Sequence, residues 1–352
     1  MVPAQRRADP PGQRTERHPG FLDRFLPRER RQRGRPAGPR IAVVTDIAAA
    51  IPHSWVEAHA DRLRVLPMPV MIDGQIYTEG LDDVETALAL ALATGATVQT
   101  SRPAPGVFQR AYESLAAAGY EHIVSLHLSK ELSGTVDAAR WAAGEVGIPV
   151  VVIDSRTVGL AQGLAVMDAV LAAEEGLPLA AVEAAARRAG DYPICFVVPS
   201  LEQLRKGGRI GAAASMFGTL LSVKPLLAIQ EGRIAVREKV RTMPRAMARL
   251  VEISRAAADA APAGARVAVH YFGNPDQAQE LRAELESSSR GDVLCEPLPS
   301  VLAAHAGAGV LAVVIAPLAD PTPTPLPGDS AGDADAEPEQ ATGSADEPET
   351  AD

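Results

Sequence analysis

The chain has 352 residues, of which 47% are apolar and only 4% aromatic, so its core must be built mainly from Ala, Val and Leu. Two cysteines, Cys195 and Cys295, are too few for a disulfide scaffold or a four-cysteine zinc site. Within a net charge of −10, residues 1–40 hold 11 Arg against 4 acidic residues, and residues 320–352 hold 10 acidic residues and no basic one.

The two ends of the chain are rich in Pro, Gly and charge, a composition typical of disorder. We expect a disordered Arg/Pro-rich arm over 1–40 and a disordered acidic tail over 320–352. One alternative is an amphipathic turn at 21–26 (FLDRFL) that touches an anionic membrane transiently, and another is attraction between the arm and the tail. Because the body between them is also acidic, nucleic-acid binding is disfavoured. There is no apolar run of the ~18 residues that a membrane-spanning helix needs, and no secretory leader, so we expect a cytoplasmic protein.

The first half of the body alternates buried strands with helices. Apolar runs without polar alternation predict strands, and they lie at 41–46, 65–71, 123–128 and 150–153. Ala-rich stretches between them predict helices at 84–93, 107–118 and 135–147. The pattern indicates an α/β, Rossmann-like domain with a mainly parallel sheet, which we place at 41–187. Three of the predicted strands end at or just before a polar residue: Asp46, Ser129 and Asp154. These residues are expected at the carboxyl edge of the sheet, where ligands of such sheets bind.

The second half of the body predicts a smaller α+β domain over 188–319. Two apolar segments, 223–230 and 233–240, flank Glu231-Gly232 and indicate a hairpin. The other elements are predicted strands at 194–198, 267–271 and 310–315, a helical turn at 201–206 and a helix at 275–287.

Two hydroxyl-rich loops are candidates for binding an anion. Thr100 and Ser101 precede a predicted helix, and Ser129 and Ser133 lie in a loop that has more polar side chains than one helix cap requires. The alternative for each loop is ordinary capping of the helix that follows. In the segment 207–211 (GGRIG), the spacing matches no nucleotide-binding loop and favours a tight turn, although Arg209 can present its guanidinium to an anion there.

The seven histidines include no pair with metal-ligand spacing, so we expect no metal site. His305 precedes a run of small residues that permits a close approach of backbone or ligand, whereas His127 lies inside an apolar strand and is predicted to be a core histidine. Ser129, His305 and Asp154 form a hydrolase triad on paper, but no G-x-S-x-G motif is present. A serine-dependent lipid or acyl hydrolase and a lipid-responsive regulatory protein remain the alternatives to a binding protein.

Taken together, these segments resemble the DegV family of fatty-acid-binding proteins, which includes the lipid-carrying subunit of bacterial fatty acid kinase. The resemblance runs in order over about 41–316. Its motifs are VVTD at 43–46, LP at 66–67, IDG at 72–74, TSRP at 100–103, LSGT at 132–135, IDS at 153–155, LEQLRKGGRI at 201–210, KP at 224–225, KVR at 239–241, and His305.

The resemblance implies that one long-chain fatty acid lies between an N-terminal parallel-sheet domain and the smaller C-terminal domain, with no cofactor and no enzymatic site in this chain. It implies that the carboxylate is held by the following residues: Thr100, Ser101, Ser129, Ser133, Arg209 and His305. It also implies that a separate ATP-dependent fatty acid kinase subunit converts the bound acid to acyl phosphate for phospholipid metabolism.

The chain departs from the family pattern near the head-group loops. Ile47 and Lys130 replace serines, and Arg102 replaces a glutamine. Because Arg102 and Lys130 add two positive charges beside the predicted carboxylate site, we expect altered head-group selection.

Overall fold

A computed structural model describes residues 38–211 and 224–319. Almost all of the predicted arm, the predicted turn at 21–26 and the predicted tail lie outside the described residues. Up to Leu318, the described chain belongs to one unit.

The elements of the described residues are numbered in chain order. The strands are β1 (Ile41–Asp46), β2 (Leu63–Leu66), β3 (Val70–Ile72), β4 (Gln75–Tyr77), β5 (Val98–Thr100), β6 (His122–His127), β7 (Val150–Asp154), β8 (Ile194–Val197), β9 (Lys224–Gln230), β10 (Arg233–Val240), β11 (Ala265–Tyr271), β12 (Leu294–Pro297) and β13 (Leu311–Pro317). The helices are α1 (His53–Ala58), α2 (Val84–Thr94), α3 (Pro105–Ala117), α4 (Thr135–Ala143), α5 (Leu160–Glu174), α6 (Leu179–Arg187), α7 (Glu202–Lys206), α8 (Met243–Asp259), α9 (Pro275–Leu285) and α10 (Ser300–Ala306).

The first sheet has the order β2-β1-β6-β7, and all its strands are parallel. Its central strand β1 is apolar on both faces because helices cover both. Ile41 and Val43 pack into a core with α5 and α6, while Ala42 and Val44 pack into a second core with α3 and α4. The predicted Rossmann-like layer is confirmed, and its carboxyl edge is where polar side chains collect.

The second sheet is mixed, with the order β10-β9-β8-β13-β11-β12. Only the β11–β12 pair is parallel among its pairings, and the predicted hairpin around Glu231-Gly232 joins the antiparallel strands β9 and β10. Val267 and Val269 face α8 and α9, whereas Ala268 points to the opposite side, toward α5. The predicted α+β character of the second half is therefore confirmed.

Helix α5 joins the two sheets. Eleven of its residues are buried, and its core includes Val43 of the first sheet together with Ala268 and Val314 of the second. The sequence analysis named no helix here, because apolar residues that surround a helix give no amphipathic periodicity.

The predicted strand at 65–71 is wrong in its extent. Pro67 and Pro69 cannot donate to a strand ladder, and the run divides into β2 and β3, which belong to different sheets. The third sheet is antiparallel and has the order β4-β3-β5. Thr100, expected in a loop, is the last residue of β5, so its position is fixed by pairing with Val70. Among the described residues, no helix is both long and apolar enough to cross a membrane.

Candidate functional site

A cavity of about 810 Å³, measured out to its open mouth, lies between the carboxyl edge of the first sheet and one face of the second. Apolar side chains from all parts of the fold form most of its lining: Met68, Leu128, Leu132, Val158, Ile194, Phe196, Leu204, Ile229, Ile234, Leu298, Val301, Leu302, Ala306, Val310 and Ala312. Six further lining residues have polar groups: Thr100, Ser101, Arg102, Ser133, Arg209 and His305.

Thr100 and His305 form a hydrogen-bonded pair within this lining. The Thr100 hydroxyl and His305 Nε2 are 2.8 Å apart, which joins the end of β5 to α10. Burial, helped by the positive charge of Arg209, lowers the pKa of His305 to about 4, so the imidazole is neutral at pH 7. Its Nδ1 atom is buried without a hydrogen-bond partner, and it lies so close to Gly207 that a Cβ there would collide with it.

Arg209 is held in place by backbone oxygens. Its Nε donates to the carbonyl of Leu132 at 3.3 Å, and its Nη1 donates to the carbonyl of Gly207. The glycine-dense segment at 207–211 therefore presents the guanidinium to the cavity, which is the functional alternative considered for it. No ion pair between Arg209 and any described acidic residue is formed, so its charge remains available to an anion.

The four predicted hydroxyls differ in position. Ser101 and Ser133 line the cavity with Thr100, although the Ser133 hydroxyl contacts that of Thr135 at 2.8 Å. Ser129 is fully buried outside the lining, and its hydroxyl donates to the carbonyl of Gly232 at 2.8 Å. A Cβ at Gly232, whose φ is +81°, would collide with that hydroxyl. Ser129 thus connects the first sheet's loop to the β9–β10 turn.

The two added cations also differ. Arg102 lines the cavity, and its Nη1 lies against Gly134, where a Cβ would collide with it. Lys130 is exposed and is not among the lining residues. Only one of the two added cations therefore lines the cavity.

The hydrolase triad considered from the sequence does not assemble. Ser129 bonds to Gly232, His305 bonds to Thr100, and the carboxylate of Asp154 accepts from the backbone N–H groups of Lys130 and Arg156 at 3.2 and 3.0 Å. A nucleophile needs its base within hydrogen-bonding reach, and here both groups have other partners.

A different Asp–His–Ser arrangement does exist, in the core of the first sheet. His127 Nδ1 lies 2.8 Å from Asp46 Oδ2, its Nε2 lies 2.7 Å from the Ser125 hydroxyl, and that hydroxyl lies 2.7 Å from the Tyr112 hydroxyl. These four side chains are fully buried and do not line the cavity. The prediction that His127 is a core histidine is confirmed, and we call this chain of four residues the core network.

Sequence reasoning missed the apolar half of the site. Met68, Val158 and Leu302 come from three separate segments with no shared periodicity, so nothing in the sequence indicated that they meet.

Comparisons with known proteins agree with the fold. A family model described as "Uncharacterised protein, DegV family" matches residues 40–318. A DegV domain-containing protein of Streptomyces coelicolor is 41% identical over 278 residues, which cover 78% of this chain and 98% of that relative.

Two solved structures are similar over nearly their whole length. A DegV family protein from Thermus thermophilus, described by its fatty-acid binding, is 34% identical with a TM-score of 0.74, covering 79% of this chain and 100% of that one. DegV from Bacillus subtilis, described as a fatty acid binding protein, is 28% identical with a TM-score of 0.72, covering 79% of this chain and 99% of that one.

Proposed function

This chain belongs to the DegV family, and on that premise we propose that it binds one long-chain fatty acid in the cavity between its two larger sheets. The observation that supports the proposal most directly is the composition of the lining, which is apolar apart from one set of hydroxyl, guanidinium and imidazole groups. A fatty acid has the same division between an apolar chain and a single anionic group.

The proposed carboxylate site contains the hydroxyls of Thr100, Ser101 and Ser133, with Arg209 and His305 beside them. His305 is neutral at pH 7, so it can donate one hydrogen bond from whichever ring nitrogen carries the proton. Ser129 joins this set only if its hydroxyl leaves the Gly232 carbonyl.

The apolar lining supplies most of the binding free energy. A chain of sixteen to eighteen carbons, at about 0.8 kcal/mol per buried methylene, has a transfer free energy of roughly 12 kcal/mol. Only part of this appears as affinity, because ordering the flexible chain costs conformational entropy.

We also propose that the protein acts in the cytoplasm and presents its bound acid to a separate ATP-dependent kinase subunit, which forms the acyl phosphate. The support is the family resemblance together with the chemistry of the site. Hydroxyl and imidazole ligands hold a carboxylate by single hydrogen bonds, and the Arg209 guanidinium is already engaged by the carbonyls of Leu132 and Gly207, so a bidentate clamp on both carboxylate oxygens is not required.

Native mass spectrometry of the purified protein, followed by denaturation and lipid extraction, tests the binding proposal. We expect one fatty acid per chain, lost in Arg209→Ala and kept in Arg187→Ala, which removes an exposed arginine paired with Glu183. A protein that is empty and also fails to take up added palmitate would refute the proposal.

The kinase proposal has its own test. Protein loaded with palmitate, a fatty acid kinase subunit and ATP should produce acyl phosphate that hydroxylamine traps as a hydroxamate. Stoichiometric palmitate binding without any hydroxamate would refute the kinase partnership and leave the binding proposal intact.

A further inference from the structure

Two arginines from different segments contact the same short loop, 132–134, at the polar part of the cavity. The guanidinium of Arg209 donates to the carbonyl of Leu132, and that of Arg102 lies against Gly134, two residues further along. Both side chains line the cavity, and Arg102 is exposed, which places it at the mouth.

Among the described residues, no acidic group forms an ion pair with either of these two charges. Within residues 38–211 and 224–319, neither guanidinium forms an ion pair, and that of Arg102 makes no hydrogen bond either. The neighbouring imidazole of His305 has its pKa lowered to about 4 and contributes no charge at pH 7.

The charge of this site therefore exceeds what a carboxylate neutralises. A fatty acid carries one negative charge, which Arg209 alone can match, whereas a phosphate monoester carries close to two. Arginine is also suited to phosphate, because its planar fork donates two parallel hydrogen bonds.

We propose that Arg102 is a specificity-determining residue, which makes the cavity bind single-chain lipids with a dianionic phosphate head more tightly than fatty acids of the same length. The inference rests on the proposed function, since it uses the same cavity for the lipid chain. In this arrangement Arg209 and the hydroxyls bind the inner oxygens of the head group, and Arg102 binds the oxygens at the mouth.

The test compares the dissociation constants of palmitate and hexadecyl phosphate at pH 8, where the phosphate is dianionic, for the wild-type protein and two variants. Arg102→Gln removes the charge that lines the cavity, and Lys130→Ser removes a nearby exposed charge that does not line it. We expect the wild type to bind hexadecyl phosphate about fivefold more tightly than palmitate, a modest effect because Arg102 is exposed to water. Arg102→Gln should abolish this preference, and Lys130→Ser should keep it.

Three results would overturn the inference. The first is a wild-type protein that binds palmitate more tightly than hexadecyl phosphate. The second is an Arg102→Gln variant that keeps the preference for hexadecyl phosphate. The third is a Lys130→Ser variant that loses this preference as fully as Arg102→Gln does, which would indicate a nonspecific effect of net charge. In each of these three results the wild-type protein still binds palmitate, so the proposed function stands. Failure of the wild type to bind either lipid would instead refute the proposed function and the inference together.

Discussion

The core network and the polar part of the cavity each contain a histidine beside hydroxyl groups, but their hydrogen bonding differs. In the core network, Asp46, His127, Ser125 and Tyr112 are fully buried, and every side-chain polar atom has a partner. In the cavity, His305 Nδ1 is unpaired and the guanidinium of Arg102 has no partner among the described residues.

The completeness of hydrogen bonding therefore distinguishes the structural histidine, His127, from the cavity histidine, His305, whereas residue type does not. Contacts in the order Asp–His–Ser suggest a catalytic triad. In the core network, however, every polar side-chain atom already has a hydrogen-bond partner and is buried, so none of them can contact a substrate. The incompletely paired groups of the cavity are the ones that a ligand can complete. The predictions below perturb one side of this comparison or the other, and one concerns a further buried histidine outside both regions.

Removing the carboxylate of the core network should have the largest effect. Asp46→Ala deletes the partner of His127 and of the backbone N–H groups of Ala48 and Leu128. We expect the free energy of unfolding, measured with urea, to fall by about 4 kcal/mol, because buried donors lose their acceptor. The control Asp137→Ala, on the exposed face of α4, should change it by less than about 0.5 kcal/mol. A similar small loss in Asp46→Ala would contradict the structural role.

A second buried histidine makes stability depend on pH. His270 Nε2 accepts from the N–H of Leu160 at 2.9 Å, and burial lowers its pKa from 6.5 to about 4. In the unfolded chain the His270 imidazole is protonated below about pH 6.5, whereas in the folded chain it stays neutral until about pH 4. The free energy of unfolding therefore decreases as the pH falls from 6.5 to 4. We expect a contribution of about 3 kcal/mol to the loss. Urea titrations at several pH values should show a shallower slope in His270→Gln, and an unchanged slope would refute the assignment.

On the cavity side, Arg209→Gln should weaken palmitate binding with little effect on folding. Its guanidinium donates to carbonyls but has no ion-pair partner among the described residues. Loss of a charge-assisted contact should raise the dissociation constant about thirtyfold, or about 2 kcal/mol. Isothermal titration calorimetry measures this change, and thermal unfolding should show a stable protein. A variant that binds palmitate as tightly as the wild type would place the carboxylate elsewhere.

The smallest expected effect is that of Ser129→Ala, which tests whether Ser129 belongs to the buried structure or to the binding site. Ser129→Ala should change palmitate affinity by less than about threefold and lower stability by about 1 kcal/mol, since its hydroxyl bonds to Gly232. The matched variant Thr100→Val, whose hydroxyl lines the cavity, should weaken binding about tenfold. The reverse order of the two affinities would show that Ser129 turns to the ligand, as the family resemblance implies.

The sequence predicted those features that depend on local patterns. The apolar strand at 41–46, the hairpin at Glu231-Gly232 and the hydroxyl-rich loops each have a composition that few other structures accommodate. The placement of Ser129 was not predictable, because its partner Gly232 is 103 residues away. Nor was the third sheet, whose strands β3, β4 and β5 have three residues each and pair only through tertiary contacts.

Helix α5 has a consequence for any attempt to divide the protein. The helix belongs to both halves, since one part of its surface covers Ile41 and Val43 and another covers Ala268 and Val314. A gene fragment that ends before Leu160, or one that begins after Glu174, leaves one sheet without its cover and exposes its apolar face to water. The two sheets should accordingly unfold in a single cooperative thermal transition. Each half should be insoluble when it is expressed alone, and the two halves should be soluble only when they are co-expressed.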